Sequence, residues 1–114
     1  MKFDIEFYEL ENGERPVEKF LEGVKTKNLS LWKKTLAALL KIKEREYHKM
    51  PLTEYIEPGI FSLRVKSENN ILRIFFAFEK GKRIFLLHGY VKKSQKIPRN
   101  ELEIARRRVK QINE

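Results

Sequence analysis

The stretch "LLHGYVKKSQKIPRNELEIARRR", residues 86–108, joins the end of an apolar segment to a strongly basic one. Its first part continues the run 84–91, which is apolar apart from His88 and Tyr90 and has the length of a buried strand. Pro98 then favours the start of a helix, because the first helical turn has no use for the N–H that proline lacks. Apolar residues recur on one face of that helix at positions 102, 105, 109 and 112. The stretch therefore predicts a strand that leads into an amphipathic helix with arginines on its outer side.

Three other segments are predicted as strands, the first two by the period-two alternation of half-buried strands and the third as a longer run. They are "FDIEFYEL" (3–10), "IFSLRVK" (60–66) and the longer "NNILRIFFAFEKGK" (69–82), which ends in a turn near Gly81. The connections between the later strands are short, which favours antiparallel neighbours. Pro51 and the "EPG" at 57–59 indicate a connecting loop before them.

Two helices are predicted between the first and second of these strands. The first begins at Pro16, and its apolar face carries Val17, Phe20, Leu21 and Val24. The second begins near Leu29, with an apolar stripe of Trp32, Leu36, Leu39 and Leu40. The predicted order is β-α-α-β-β-β-α. This order predicts one α+β domain over residues 1–114, with a small antiparallel sheet and the helices packed on one of its faces.

The net charge of +9 lies entirely in the C-terminal half of the chain. Residues 1–63 carry 11 basic and 11 acidic side chains, whereas residues 64–114 carry 14 basic and 5 acidic ones. A basic surface confined to one part of a fold is typical of proteins that bind a polyanion, above all a nucleic acid. An acidic protein partner is the alternative that the charge alone leaves open.

Other classes of function have little support in the composition. The chain has no cysteine and two histidines, His48 and His88, so disulfides and thiolate or histidine-rich metal sites are not expected. No apolar run approaches the roughly 20 residues that span a bilayer, and the N-terminus does not resemble a secretion signal. We therefore expect a cytoplasmic protein that needs no cofactor and does not enter a membrane.

Side-chain parity along the strands predicts one surface where cations meet. If the last three strands are neighbours, one sheet face gathers Arg64, Lys66, Arg73, His88, Tyr90 and Lys92 or Lys93. Arg73 is informative, because it is charged within an otherwise apolar strand and would be costly to bury alone. A solvated sheet face would also carry arginine and lysine, but it would less often concentrate them beside a histidine and a tyrosine without a carboxylate. For His88 alone, a structural hydrogen-bonded role remains an equal alternative.

These segments together resemble a known protein family. "PVEKFL" (16–21), "GIFSLRVKS" (59–67), "ILRIFFAF" (71–78) and "IFLLHGYVKKSQKIPRNELEIARRR" (84–108) resemble the RelE/ParE toxin superfamily of bacterial toxin–antitoxin systems, in particular its phage-derived, HigB-like branch. The resemblance implies a ribosome-dependent messenger RNA endonuclease, held inactive by a cognate antitoxin, which would be a small helix-turn-helix protein. ParE-like members instead poison DNA gyrase, so the fold alone leaves the activity open.

The resemblance also implies which residues form the catalytic site. Those that match the family pattern are Arg64, Lys66, Arg73, His88 and Lys93. The remaining basic and aromatic side chains are expected to hold RNA, namely Tyr90, Lys92, Lys96, Arg99, Arg106, Arg107 and Arg108. RelE itself has a base-stacking tyrosine in its last segment, and no tyrosine follows Tyr90 here. That function is either transferred to Tyr90 or absent.

The expected chemistry needs no metal. The 2′-oxygen of RNA attacks the adjacent phosphorus and expels the 5′-oxygen, with a base, an acid and cations that stabilise the phosphorane. Lys66 or His88 would be the base, Arg64 and Arg73 would face the phosphorane, and Lys93 would be the acid. The enzyme hypothesis requires Arg64, Lys66 and Arg73 to be accessible and adjacent. A gyrase inhibitor or a basic protein-binding domain would tolerate these side chains scattered or paired.

Overall fold

The computed structural model describes residues 2–113, which form five strands and three α-helices. Their order is β1 (Asp4–Phe7), α1 (Pro16–Lys27), α2 (Leu29–Lys41), β2 (Thr53–Glu57), β3 (Ile60–Ser67), β4 (Asn70–Glu79), β5 (Arg83–Lys92) and α3 (Arg99–Ile112). The strands form one sheet in the order β1-β5-β4-β3-β2. The predicted α+β class is confirmed, and the architecture is consistent with the RelE-like fold that the resemblance implies.

The sheet differs from the prediction in one strand and one pairing. β2 lies where a connecting loop is predicted, and it pairs antiparallel with β3 at the sheet edge. Its sequence "TEYIE" is short and half polar, so it carries little of the hydrophobic signal that identifies a strand. β1 pairs with β5 in parallel, so the sheet is mixed rather than purely antiparallel.

The predicted packing of the helices on one face is wrong for α3. α1 and α2 cover one face of the sheet, where Leu63, Leu72 and Phe76 are fully buried. α3 covers the opposite face, where Phe75 and Leu87 meet its Ala105. The physical reason is visible in β4, which is buried at every position from Ile71 to Ala77. A continuous apolar run of this kind belongs to a strand that is covered on both faces.

The inward face of α2 is also displaced from the predicted stripe. Leu31, Thr35, Ala38 and Leu39 are buried, whereas Leu36 and Leu40 are 37% and 65% exposed. Thr35 can lie in the core because its hydroxyl donates a hydrogen bond of 2.8 Å to the carbonyl of Leu31. Trp32 packs against the core at the edge of this face, as predicted, with the Lys25 ammonium 4.7 Å from its ring centre.

The predicted inner faces of α1 and α3 are confirmed. Val17, Leu21 and Val24 are buried against the sheet, and Phe20 packs so closely on β5 that a β-carbon at Gly89 would lie 2.6 Å from its ring. Glycine at this position therefore allows α1 to approach the strand. None of the helices in the described part of the chain has the length and apolar composition needed to cross a membrane.

Candidate functional site

Three strands bring the predicted cations together on the face that α3 covers only in part. Arg64 on β3 pairs with Arg73 on β4, and Arg73 pairs with Tyr90 on β5. These three side chains therefore form a row across the sheet, here called the basic row. Ile71, one step along β4, pairs with Lys66 on one side and Lys92 on the other. Arg64, Lys66, Arg73, Tyr90 and Lys92 are adjacent, as the strand parity predicts.

A β-bulge in β5 aligns His88 and Tyr90 with this face. Phe75 pairs with His88 while the next residue, Phe76, pairs with Leu86, so Leu87 is the extra residue. A bulge of this kind reverses the parity of the residues that follow it and is frequent beside functional sites. It allows Leu87 to pack under α3 while His88 and Tyr90 still point to the same side.

Arg73 is the most constrained cation of the site. It is 4% exposed, and its Nη1 lies 3.4 Å from Oε1 of Glu54 on β2. Its Nη2 donates a hydrogen bond of 2.9 Å to the backbone carbonyl of Gln95. Within residues 2–113, its Nε has no acceptor. Arg73 is therefore held in place by two groups and retains one buried donor for a third.

Arg64 shares a partner with Arg73. Its Nη2 donates to Oε1 of Gln95 at 3.1 Å, and its buried Nε has no acceptor among the described residues. Two neighbouring guanidinium groups thus converge on the two oxygens of one glutamine. The predicted adjacency of these arginines is confirmed, but the predicted accessibility is not, because Arg73 is buried and Arg64 only partly exposed.

His88 is attached to α3. Its Nε2 lies 2.7 Å from Oε1 of Glu101, and the two side chains are only 15% and 14% exposed. The rings of His88 and Tyr90 stack with centres 6.2 Å apart. The expectation of a site without carboxylates is therefore wrong, because Glu54 and Glu101 lie beside the basic row.

Tyr90 has a buried hydroxyl that lacks a hydrogen-bond partner in the described chain. Burial raises the pKa of Tyr90 to about 12, Arg73 opposes this shift and Glu101 adds to it. The phenol is therefore neutral at any physiological pH.

Two of the predicted catalytic lysines line a cavity beside the basic row. Lys66 and Lys93 are exposed and line a shallow cavity of about 380 Å³ together with Ile71 and Gln95. Lys92 and Lys96 are exposed nearby. Glu68 and Asn69 also line this cavity, so a ligand in it would meet two ammonium groups, one carboxylate and the Gln95 side chain that accepts a hydrogen bond from Arg64.

The arginines of α3 divide into structural and exposed ones. Arg106 forms two hydrogen bonds with Glu57, at 3.0 and 2.7 Å, and these bonds lower the pKa of Glu57. Arg108 donates to the carbonyl of Leu87 at 2.8 Å, and burial lowers its pKa. Arg106 and Arg108 therefore each tether α3 to the sheet in the free protein, and their predicted role in holding RNA stays a prediction.

Arg99 and Arg107 remain exposed on the same helix. Arg107 points outward, and Arg99 is 88% exposed although Glu103 lies 3.7 Å away. With Lys92 and Lys96, these side chains are the solvent-facing members of the predicted RNA-binding group.

Sequence reasoning missed three groups of the site, namely Glu54, Gln95 and Glu101. Glu54 belongs to the strand that is predicted as a loop, and Gln95 lies in an irregular segment without periodicity. Glu101 could have been found, because an acidic residue in the first turn of a helix beside a cationic strand is a common pairing. Across residues 2–113, no three His, Cys, Asp or Glu side chains come together as a metal site would require.

The arrangement is suited to recognition of a phosphate. Two neighbouring guanidinium groups can form bidentate hydrogen bonds to its oxygens, and two exposed lysines line the adjoining cavity.

Comparison with known proteins identifies the family. No curated protein matches the chain. Residues 20–110, which include α2, the four strands β2–β5 and most of α3, match the family described as phage derived protein Gp49-like (DUF891). This match agrees with the predicted resemblance to phage-derived toxins, and the chain therefore belongs to the Gp49-like family, a toxin-associated family of RelE/HigB-like type.

Proposed function

We propose that this protein is the toxin of a type II toxin–antitoxin system and cleaves messenger RNA on the ribosome. The observation that carries the proposal is the basic row, in which Arg64 and Arg73 are direct cross-strand neighbours with Lys66 and Lys93 at one end. Membership of a toxin-like family supports the same conclusion. The proposed targets place its action in the cytoplasm, with a cognate antitoxin as its partner when it is inactive.

The proposed reaction is an internal transesterification. A base removes the proton of the 2′-hydroxyl, the 2′-oxygen bonds to the adjacent phosphorus, and the bond from phosphorus to the 5′-oxygen breaks. An acid gives a proton to the departing 5′-oxygen, which leaves a cyclic phosphate and a 5′-hydroxyl. Arg64 and Arg73 stabilise the charge that develops on the phosphorane oxygens.

The geometry favours Lys66 as the base and Lys93 as the acid. Both ammonium groups border the same cavity, which Gln95, the shared partner of the arginines, also lines. His88 has its Nε2 committed to Glu101 at 2.7 Å and lies on the far side of Tyr90. We therefore assign His88 to the attachment of α3 rather than to proton transfer.

The decisive test is translation in a cell-free system with primer extension on the messenger. The expected result is a set of cuts within the codon in the ribosomal A site, and none when ribosomes are omitted. An Arg64→Ala variant serves as the matched control, since it removes one cation of the basic row at a half-exposed position.

One alternative function is favoured by the burial of Arg73, because a binding module tolerates an arginine that is already paired. If expression arrests growth while messenger RNA remains intact and plasmid supercoiling changes, the protein is a gyrase inhibitor and the nuclease proposal fails. If neither target responds, a basic protein-binding domain is the remaining candidate.

A further inference from the structure

We infer that Gln95 is a built-in plug of the arginine site, which occupies the place of a phosphate and must be displaced before RNA can bind. This inference rests on the proposed function for the identity of the ligand, and its chemistry is that of a tetrahedral phosphate oxyanion. The segment that carries Gln95 thereby keeps the site closed in the free protein.

The two oxygens of Gln95 accept hydrogen bonds from the two arginines, as two oxygens of a phosphate would. Its backbone carbonyl accepts from Nη2 of Arg73 at 2.9 Å, and its side-chain Oε1 accepts from Nη2 of Arg64 at 3.1 Å. The two arginines pair directly across β3 and β4, so one residue bridges two like charges. An anion is a better partner than a neutral amide for two guanidinium groups, because it adds Coulombic attraction and can accept bidentate hydrogen bonds.

The plug leaves the arginines incompletely satisfied. Among residues 2–113, the Nε atoms of both Arg64 and Arg73 are buried without an acceptor. A buried donor without a partner is costly, so a ligand that supplies more oxygens is favoured over one that supplies two. Arg73 is 4% exposed, which makes it a fixed part of a site rather than a surface cation.

The segment that carries the plug is placed to move. Ser94, Gln95 and Lys96 are all exposed and lie in bends rather than in regular structure. The bond from the Lys96 N–H to Oγ of Ser94, at 3.1 Å, is local to the segment. When the plug leaves, Glu54 still lies 3.4 Å from Nη1 of Arg73 and keeps the guanidinium oriented.

The test measures the affinity of Gln95 variants for two probes by isothermal titration calorimetry. The first probe is a short 2′-O-methyl oligoribonucleotide, which cannot be cleaved because its 2′-oxygen is blocked, and the second is inorganic phosphate. Gln95→Ala removes one competing acceptor and should bind both probes about two- to tenfold more tightly. Gln95→Glu replaces that acceptor with a carboxylate and should bind both about tenfold more weakly.

The control is Gln111→Glu, which adds the same charge elsewhere on the exposed surface. Gln111 lies on α3 and accepts a hydrogen bond from Tyr8, a role that a carboxylate can also fill. If Gln95→Ala binds both probes within twofold of the wild-type protein, or if Gln95→Glu weakens binding no more than Gln111→Glu does, the plug does not exist. A gain on the oligoribonucleotide alone would support a plug that is displaced by strand phosphates, and equal gains on both probes would support one displaced by phosphate itself.

A second measurement locates the effect. The Nε–H signals of Arg64 and Arg73 in a protein labelled with ¹⁵N-arginine should shift when either probe saturates the wild type, because both donors then acquire an acceptor. Signals that stay in place despite binding would overturn the inference. Failure of the plug and failure of the nuclease proposal are distinguishable. If the protein cleaves RNA but its affinity for the probes does not respond to Gln95 substitutions, only the plug is refuted. If the variants bind as expected but the protein never cleaves RNA, only the nuclease proposal is refuted.

Discussion

The hydroxyl of Tyr90 is expected to destabilise the fold. It is buried without a partner among residues 2–113, beside Arg73 and Glu101. An unsatisfied buried hydroxyl costs about 1–3 kcal/mol. Tyr90→Phe keeps the ring that stacks on His88 and removes the hydroxyl. We expect the variant to unfold at higher urea concentration, with a free energy of unfolding raised by about 1 kcal/mol at pH 7.

The stability of Tyr90→Phe relative to the wild type should depend on pH in the alkaline range. The pKa of Tyr90 is about 12 in the folded protein, against an ordinary value of 10.0. A group whose pKa is raised by folding contributes its full stability below the unfolded pKa and loses it as the pH rises through the folded one. The stability gap between Tyr90→Phe and the wild type should therefore widen between pH 10 and 12. Tyr55→Phe, at a 59% exposed position, is the control that should show no such change. A gap that stays constant would mean that Tyr90 is solvated.

Arg73 and Arg107 are cations with opposite expected roles. Arg73 is buried and held at two of its nitrogens, so it is a preorganised donor whose loss should slow the chemical step by about 10²–10³. Arg107 is exposed on α3, where a phosphate contact is exchangeable and screened by salt. Single-turnover cleavage on saturating ribosomes should collapse for Arg73→Ala and remain near the wild-type rate for Arg107→Ala.

Arg73→Lys separates charge from geometry in the same assay. It keeps the cation and loses the planar fork, so its rate should lie close to that of Arg73→Ala. Circular dichroism confirms that each variant is folded. If Arg107→Ala is the variant that loses the chemical step, the catalytic surface is not the basic row.

The sequence identifies the cations of the site better than it identifies their partners. Arg73 is conspicuous because it interrupts an apolar strand, and the parity of β3 and β5 places Arg64 and Tyr90 beside it. The contacts of Glu54 and Gln95 depend on how an edge strand and a loop approach in three dimensions. No periodicity encodes that approach, so these partners are visible only in the fold.

The packing of α1 on β5 depends on a single glycine. A β-carbon at Gly89 would lie 2.6 Å from the ring of Phe20, and overpacking of this kind costs about 1–3 kcal/mol. Gly23, on the exposed side of α1, has no neighbour within 4 Å of its own added β-carbon. We expect Gly89→Ala to lower the free energy of unfolding by about that amount, and Gly23→Ala to raise it by about 0.5–1 kcal/mol.

Urea unfolding of the two alanine variants measures their free energies of unfolding. A double variant tests whether the ring of Phe20 causes the loss at Gly89. Gly89→Ala combined with Phe20→Leu should recover part of the lost stability, because the smaller side chain vacates the space. Equal effects of the two glycine substitutions would show that α1 does not press on β5.

Secondary elements are predictable from the sequence where one residue pattern dominates. The apolar stripe of α1 is correctly placed by Val17, Leu21 and Val24. In α2 the predicted stripe is misplaced, because Leu36 and Leu40 continue an apolar face in the sequence but are not buried in the structure. Thr35 is buried instead, and its hydroxyl donates a hydrogen bond to the carbonyl of Leu31 in the same helix. The position of α3 on the second face follows from the two-sided burial of β4, a signal that is present in the sequence as an apolar run interrupted only by Arg73.

Charge is distributed unevenly over the whole molecule, with the entire excess of +9 in residues 64–114. RNA binding should therefore weaken steeply with salt, because each neutralised phosphate of a single strand contributes about 0.7 to the slope of log affinity against log salt. Arg107→Gln should reduce that slope by about 0.7. Arg106→Gln should leave the slope unchanged, because Nε and Nη2 of Arg106 already donate hydrogen bonds to Glu57.

The slopes are measured with a 2′-O-methyl oligoribonucleotide over a series of potassium chloride concentrations. The two arginines are adjacent on the same helix and carry the same charge. A difference between their effects on the slope therefore reports whether the side chain is available to contact a phosphate. An equal loss of slope would show that the Glu57 pair opens when RNA binds.

The parallel pairing of β1 with β5 has a consequence for the order in which the molecule assembles. Asp4 pairs with Arg83 and Phe7 with Leu86, so the first strand to be synthesised finds its partner in the last one. Contacts between residues this distant in the chain form slowly, because a long loop must close before they are made. β5 also supplies Tyr90 to the basic row. β1 therefore stays unpaired and the basic row stays incomplete until β5 is in place, so the sheet edge and the site depend on the same late contact.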